Sequence, residues 1–499
     1  MARRRAGILL HPTSLPGDHG IGDLGEAAFR FLAWLSEAGQ SLWQLLPLGP
    51  PGGGNSPYDA RSSFAGSPLL IALAPLVELG LLAPEEVPPL LAGDPSRVDY
   101  AGAAAMKQPA LRRACERFVT GSDPALRADY EAFCARAAAW LDDYALYAAL
   151  RSAHDGLPWY RWEPELVRRE PEALRPWRAR LDREVHFEMF LQYLFDRQWG
   201  AVKRRANELH IEVVGDIPIY VAHDSADVWA HQEIFTLDEH GQPTRRAGVP
   251  PDYFSASGQL WGNPCYRWDV LAATEYRWWV ERFRRARELF DVVRVDHFRG
   301  FVAGWQVPAG EDTALNGVWV PGPGEELFRR VEHDLGRVPL IVEDLGLITE
   351  DVHALRAQLG YPGMRVLQFA FGGGSDNPYL PHNYERNTVV YTGTHDNDTT
   401  LGWFRSCAPH EREHALRYLG TDGSDVAWDL IRLALMSIAD TAIVPLQDVL
   451  ELGSEARMNV PGTAAGNWEW RSVPDGLSGE RARRLAVLTE TYGRDARGG

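Results

Sequence analysis

The chain has 499 residues, 45% hydrophobic and 24% charged, with a formal net charge of −17. Its 18 Trp, 17 Tyr and 18 Phe need a core or a ligand to cover them, which excludes a chain disordered throughout. The acidic excess argues against a nucleic-acid partner, whose phosphates call for a basic patch. No apolar run approaches the ~18 residues of a membrane span, so no membrane association is expected.

The amino end, Met1-Ala2-Arg3-Arg4-Arg5, has the charge of a signal n-region. The apolar stretch behind it stops at His11-Pro12, too short for an h-region, so a cytoplasmic location is expected. Lys107 and Lys203 are the only lysines among 51 basic residues. Cys115, Cys134, Cys265 and Cys407 form no C-x-x-C pair and no metal spacing, and read as thiols in a reducing compartment.

Eight short runs rich in Val, Ile and Leu follow one another, and such runs suit buried parallel strands. They are Gly7–His11, Trp43–Pro47, Ile211–Asp216, Val292–Asp296, Leu340–Asp344, Val366–Phe369, Val389–Tyr391 and Ala442–Pro445. Amphipathic helices are predicted between several of them, at Glu275–Phe290, Glu326–Leu335 and Asp351–Leu359. Strands alternating with helices predict a (β/α)8 TIM barrel, an α/β fold. Between the second and third runs lie roughly 160 residues, against the dozen or so a crossover needs. The stretch is rich in Ala, Leu, Arg and Glu and is punctuated by Pro164, Pro171 and Pro176. It reads as a helical subdomain inserted between strands 2 and 3. The expected division is barrel over 1–65, helical insertion over 66–204, and barrel again over 205–499, with a Gly-, Pro- and aromatic-rich excursion at about 221–275. The tail, Gly493–Gly499, is expected to be disordered.

Asp216, Asp296, Glu343 and Asp396 lie at or just beyond the ends of four of these runs, where a barrel places its chemistry. A single Asp there reads most simply as a helix cap. Four at one rim would repel and raise one another's pKa, a cost that suits catalysis better than stability. Paired carboxylates suit glycoside chemistry, one attacking the anomeric carbon while the other protonates the leaving oxygen. Arg294 stands two residues before Asp296, on the same face of the strand. It would keep Asp296 ionised as a nucleophile must be, leaving Glu343 as the protonated partner.

At this point the residues resemble a known family, the 4-α-glucanotransferases called amylomaltases or disproportionating enzymes, family seventy-seven of the glycoside hydrolases. The resemblance runs over nearly the whole chain. It rests on His11–Gly17, Asn55–Tyr58, Gly215–Val221, Ala247–Ser255, Gly258–Pro264, Arg294–Gly300, Glu343–Gly346, Thr394–Asn397 and Ser454–Asn459. It implies that Asp296 is the nucleophile, Glu343 the acid/base and Asp396 the transition-state stabiliser. It implies sugar contacts from Tyr58, Asp216, Arg294, His395 and Asn459. It also implies a lid over the cleft bearing Tyr253 and Phe254, with Trp261 and Asn263 just beyond. The implied substrates are α-1,4-glucans and maltooligosaccharides, with glucose as an acceptor and no cofactor. Cys265 stands where an apolar residue is expected.

Two other motifs carry less. His410-Glu411-Arg412-Glu413-His414 matches the H-E-x-x-H zinc pattern but has no third ligand in view, and reads as a solvated helix after Pro409. Pro51–Ser56 is Gly-rich but lacks the G-K-[ST] of a phosphate loop. No catalytic metal is expected. The carboxylates alone do not separate a transferase from a retaining α-1,4-glucan hydrolase. A silent glucan-binding protein is a third reading, against which the three retained carboxylates argue. Oligomeric state stays open.

Overall fold

The computed structural model describes residues 4–121, 123–251 and 255–495. All eight apolar runs lie at barrel strands: β1 (Arg5–Leu9), β2 (Leu42–Gln44), β3 (Glu212–Pro218), β4 (Val292–Asp296), β5 (Leu340–Val342), β6 (Gly363–Val366), β7 (Thr388–Tyr391) and β8 (Thr441–Pro445). All are parallel, in the order β6-β7-β8-β1-β2-β3-β4-β5. The ring is completed between β5 and β6, where Val342 N donates to Pro362 O at 3.0 Å and Met364 N to Asp344 Oδ1 at 2.7 Å. Asp344 is 3% exposed, and a Cβ on Gly363 would stand 2.4 Å from its Oδ2. Only glycine fits that seam.

One strand differs from its expected position. β6 covers Gly363–Val366, and Leu367–Phe369 is a 3-10 turn. Both pieces are largely buried, so hydrophobicity alone does not tell them apart. The strand includes Arg365, which pairs with Val390 of β7 and whose guanidinium reaches Asp344 across the seam at 3.4 Å.

Between β2 and β3 the chain forms helices at Tyr100–Gly121, Pro124–Arg136, Leu141–Ala153 and Asp182–Glu208, the last leading back into β3. Pro164 and Pro171 each open a helix, where a missing N–H costs nothing. The helix Arg277–Leu289 buries Trp278, Trp279 and Phe283. It also buries two of its arginines. Arg282 donates to Ile219 O and Pro218 O, and Arg285 to Phe64 O and Asp196 Oδ1, tying the helix to the ends of β3 and the 60s segment.

A second sheet, antiparallel and four-stranded, runs Gln259–Pro264, Arg245–Val249, Ala303–Pro308, Val318–Pro321. Its first two strands precede β4 and its last two follow it. The excursion after β3 is therefore hydrogen-bonded to the chain just beyond Asp296. Tyr253 and Phe254 lie outside the described residues.

The expectation for the carboxyl end is corrected at Arg494, which is 0% exposed. Its guanidinium donates to the carbonyls of Leu435, Ser437, Ala439, Asp440 and Arg5. It satisfies the end of the helix Val426–Met436 and holds it to the starts of β1 and β8. The polar composition of the tail hid this, because each partner is a backbone carbonyl. Among the described residues, no helix is long and apolar enough to cross a membrane.

Candidate active site

The register of the barrel assembles the site. Asp216 on β3 pairs with Arg294 on β4, and Pro218 with Asp296. A Cβ on Gly215 would stand 2.1 Å from the Phe290 ring, so the strand must be bare there for that ring to pack.

Arg294 is 3% exposed and forks between two carboxylates. Its Nη1 donates to Asp216 Oδ1 and Oδ2 at 2.8 and 2.7 Å, and its Nη2 lies 2.9 Å from Asp296 Oδ1. Burial opposes its charge, but Asp216 and Asp296 hold it far above the usual range, so it stays cationic. Asp216 is 2% exposed, and its Oδ2 also accepts from the Tyr58 hydroxyl at 2.7 Å. Burial pushes the Asp216 carboxyl up, against the pull of Arg294. Its oxygens are engaged by protein groups, and its direct effect is on the aim of Arg294. Asp296 thus presents one oxygen to a fixed cation at the lip of the cleft.

Glu343 follows β5. Its Oε2 accepts from His297 N at 2.8 Å and its Oε1 from Leu345 N at 2.7 Å. Burial and the Asp296 charge push its carboxyl up to about 8, outweighing Arg294 and the two N–H donors. His297 has φ = 52°, a left-handed conformation rare for a residue with a Cβ. That kink turns its N–H onto Glu343. Burial drops the His297 ring to about 4, so it is neutral. The Trp261 ring meets it edge-on at 4.9 Å.

Asp396 lies in the turn after β7, its side chain 47% exposed. His395 Nε2 is 3.3 Å from its Oδ2, and Asn459 Nδ2 donates to its Oδ1 at 2.6 Å. Burial would raise it, but His395 and Asn459 hold it down at about 2. For His395 the balance runs the other way: burial lowers it, and Asp396 lifts it above its ordinary value. The Tyr58 ring stacks on His395 at 4.9 Å, and the Trp468 ring is 5.8 Å from each.

Tyr58, Asp216, Arg294, Asp296, His395, Asp396 and Asn459 thus form a continuous net, with Glu343 on its far side. Trp261 stands at the edge, 39% exposed, with its Nε1 donating to Gln259 Oε1 at 3.2 Å. The Asn263 amide donates to Val221 O at 2.8 Å. Cys265 is buried, its thiol pushed up to about 12 by burial, so it fills the expected apolar position as a small neutral group. His414 donates through Nδ1 to Phe371 O at 3.0 Å, on a helix covering Pro409–Leu419. That ring packs against Phe371 and Tyr418.

Sequence reasoning passed over the backbone N–H groups of His297 and Leu345, the Trp468 ring and Arg457, whose Nη2 donates to Asp396 O at 2.6 Å. Backbone donors leave no compositional trace. Arg457 had a signal, standing two residues before Asn459 in the Ser454–Asn459 motif.

The sequence profile of the 4-alpha-glucanotransferase family matches residues 10–475. The chain is 53% identical over 496 residues to the 4-alpha-glucanotransferase of Thermus thermophilus, covering 98% of each. It is 52% identical over 499 residues to that of Synechocystis, covering 99% of this chain and 98% of the other. Its structure superposes on the amylomaltase of Streptococcus agalactiae, solved with acarbose, with a TM-score of 0.95 at 36% identity, over 99% of this chain and 100% of that one. With its barrel, its carboxylate rim and these likenesses, the chain belongs to the 4-alpha-glucanotransferase family.

Proposed function

We propose that this protein moves α-1,4-glucan segments from donor to acceptor glucan by a retaining double displacement, with maltooligosaccharides as substrates and glucose as an acceptor. The observation that carries the reading is the division of protons across one rim. Glu343 is held up at about 8, while Asp396 is held down at about 2.

Asp296, aimed by Arg294, attacks the anomeric carbon, and the glucosyl–oxygen bond to the leaving sugar breaks. Glu343 gives its proton to that oxygen. Esterified Asp296 is neutral, so the charge that held the Glu343 proton is gone. Glu343 becomes the base that takes a proton from the acceptor 4-hydroxyl, which then displaces Asp296. Asp396 stays ionised opposite the developing oxocarbenium charge. Tyr58, Asp216, His395 and Asn459 contact or position the sugar, Trp261 and Asn263 border the cleft, and the family resemblance assigns Tyr253 and Phe254 to a lid. The parts are the barrel, the helical insertion over 66–204 and the lid-bearing excursion, working in the cytoplasm.

Incubation with maltotriose tests the reading. A ladder of maltooligosaccharides with glucose is expected, and EDTA should leave it unchanged. Mostly maltose and glucose would mean a hydrolase, and unchanged substrate a binding protein. Loss on chelation, restored by zinc, would return His410 and His414 to consideration.

A further inference from the structure

The turn between Thr392 and Thr400 carries Asp396, and its two ends converge on one side chain outside the net described above. Asp448 lies in the short helix Leu446–Val449, directly after β8, and is 1% exposed. Its Oδ2 accepts from Thr392 Oγ1 at 2.5 Å and from Thr400 Oγ1 at 2.8 Å. Its Oδ1 accepts from Thr400 N at 2.7 Å. Thr392 and Thr400 are both 0% exposed. Thr392 is the first residue after β7, and Thr400 opens the helix Thr400–Ser406.

Among the described residues no cation pairs with Asp448; the charged group acting on it is Asp398, another carboxylate. These three donors offset its burial, and a buried carboxylate that loses donors is costly. The same stretch of chain grips the far side of the turn. Ser454 Oγ donates to Asp398 Oδ2 at 2.7 Å, Arg457 to Asp396 O at 2.6 Å, and Asn459 to Asp396 Oδ1 at 2.6 Å. The turn is thus pinned at its base by Asp448 and at its crest by Arg457 and Asn459.

We infer that Asp448 is a positioning residue for the transfer reaction, closing the base of the turn so that Asp396 is presented at a fixed depth in the cleft. The inference rests on the role proposed for Asp396. An acceptor-only side chain suits the task because three donors arrive and none departs. An amide could keep the Thr400 N–H bond, and the two hydroxyls could rotate to accept from its NH2 group.

The experiment compares Asp448→Ala, Asp448→Asn and Thr392→Val with the parent on maltotriose, with rates normalised to the folded fraction from thermal melts. Asp448→Ala should lower kcat about 30- to 100-fold while the donor KM stays within about threefold, as expected when an interaction acts mainly in the transition state. Asp448→Asn should recover most of the loss, to within about tenfold of the parent. Thr392→Val removes one donor, and should lower kcat about three- to tenfold with KM again unmoved. If Asp448→Ala does not fold, this variant decides the question. A kcat within threefold of the parent in Asp448→Ala, or in Thr392→Val when it decides, overturns the inference. So does a KM that rises in step with the loss, or an Asn variant no better than Ala. Asp396→Asn in the same assay separates the two readings. If it keeps activity within about tenfold, the role of Asp396 fails. If it collapses while Asp448→Ala does not, only the inference about Asp448 fails.

Discussion

On the β5 side of the rim, Glu343 is held by two backbone N–H groups and faces the charge of Asp296. On the β7 side, Asp396 is held by the His395 ring and the Asn459 amide. Both are carboxylates at the same end of one barrel. Burial and the Asp296 charge push the first up to about 8, while His395 and Asn459 hold the second down at about 2. The sign of the neighbouring charge decides the difference. Two neutral donors do not outweigh burial and an adjacent anion, whereas an imidazole that charges together with its carboxylate does. The same contrast holds for support: the β5 side is set by backbone, and the β7 side by a chain of side chains reaching from Tyr58 to Asn459.

The sharpest way to break this contrast is to remove the anion at its centre. Asp296→Asn keeps size and should lower kcat by at least about 10⁴-fold with little change in melting temperature. A loss under tenfold would remove Asp296 from the nucleophile's place.

Glu343→Gln should cost about 10²- to 10⁴-fold in transfer. In the parent, activity should fall as pH rises through about 8, because the acid must be protonated to serve the leaving oxygen. If Asp296 holds that proton, a variant lacking the Asp296 charge should show a lower Glu343 pKa when titrated by NMR. An unmoved value would mean that burial alone sets it.

His395→Phe tests the opposite side. Asp396 would lose its charged partner and its pKa should climb back from about 2, so activity should be lost at a higher pH on the acid side. About a tenfold fall in kcat at neutral pH is expected, as for loss of a charge-assisted hydrogen bond worth roughly 1.5 kcal/mol. An acid limb identical to the parent's would show that Asn459 suffices.

The smallest effect concerns the balance of products. Tyr253→Ala or Phe254→Ala should lower transfer more than hydrolysis, by a few-fold, if aromatic cover keeps water from the glucosyl intermediate. Both products can be read from one maltotriose digest. A uniform fall with an unchanged ratio would place the source of transfer specificity elsewhere.

The eight strands were legible because both faces of each are buried, and a strand buried on both faces must be written in Val, Ile and Leu. Asp296, Glu343 and Asp396 were legible because a barrel places polar side chains at the carboxyl ends of such strands, so acid after an apolar run carries meaning; Asp216 ends its apolar run too, although the strand continues to Pro218 and buries it. β6 was placed three residues late because Leu367–Phe369 is as buried as the strand, and burial does not specify backbone shape. What only the tertiary structure decided was partnership. That Arg294 serves Asp216 as well as Asp296, that Arg494 closes the base of the barrel, that Asp448 gathers Thr392 and Thr400, and that His297 turns its N–H to Glu343 all depend on register and on backbone direction. Composition reports how much of a side chain must be hidden from water. It does not report which donor will stand beside which acceptor, since that geometry exists only when distant strands lie side by side.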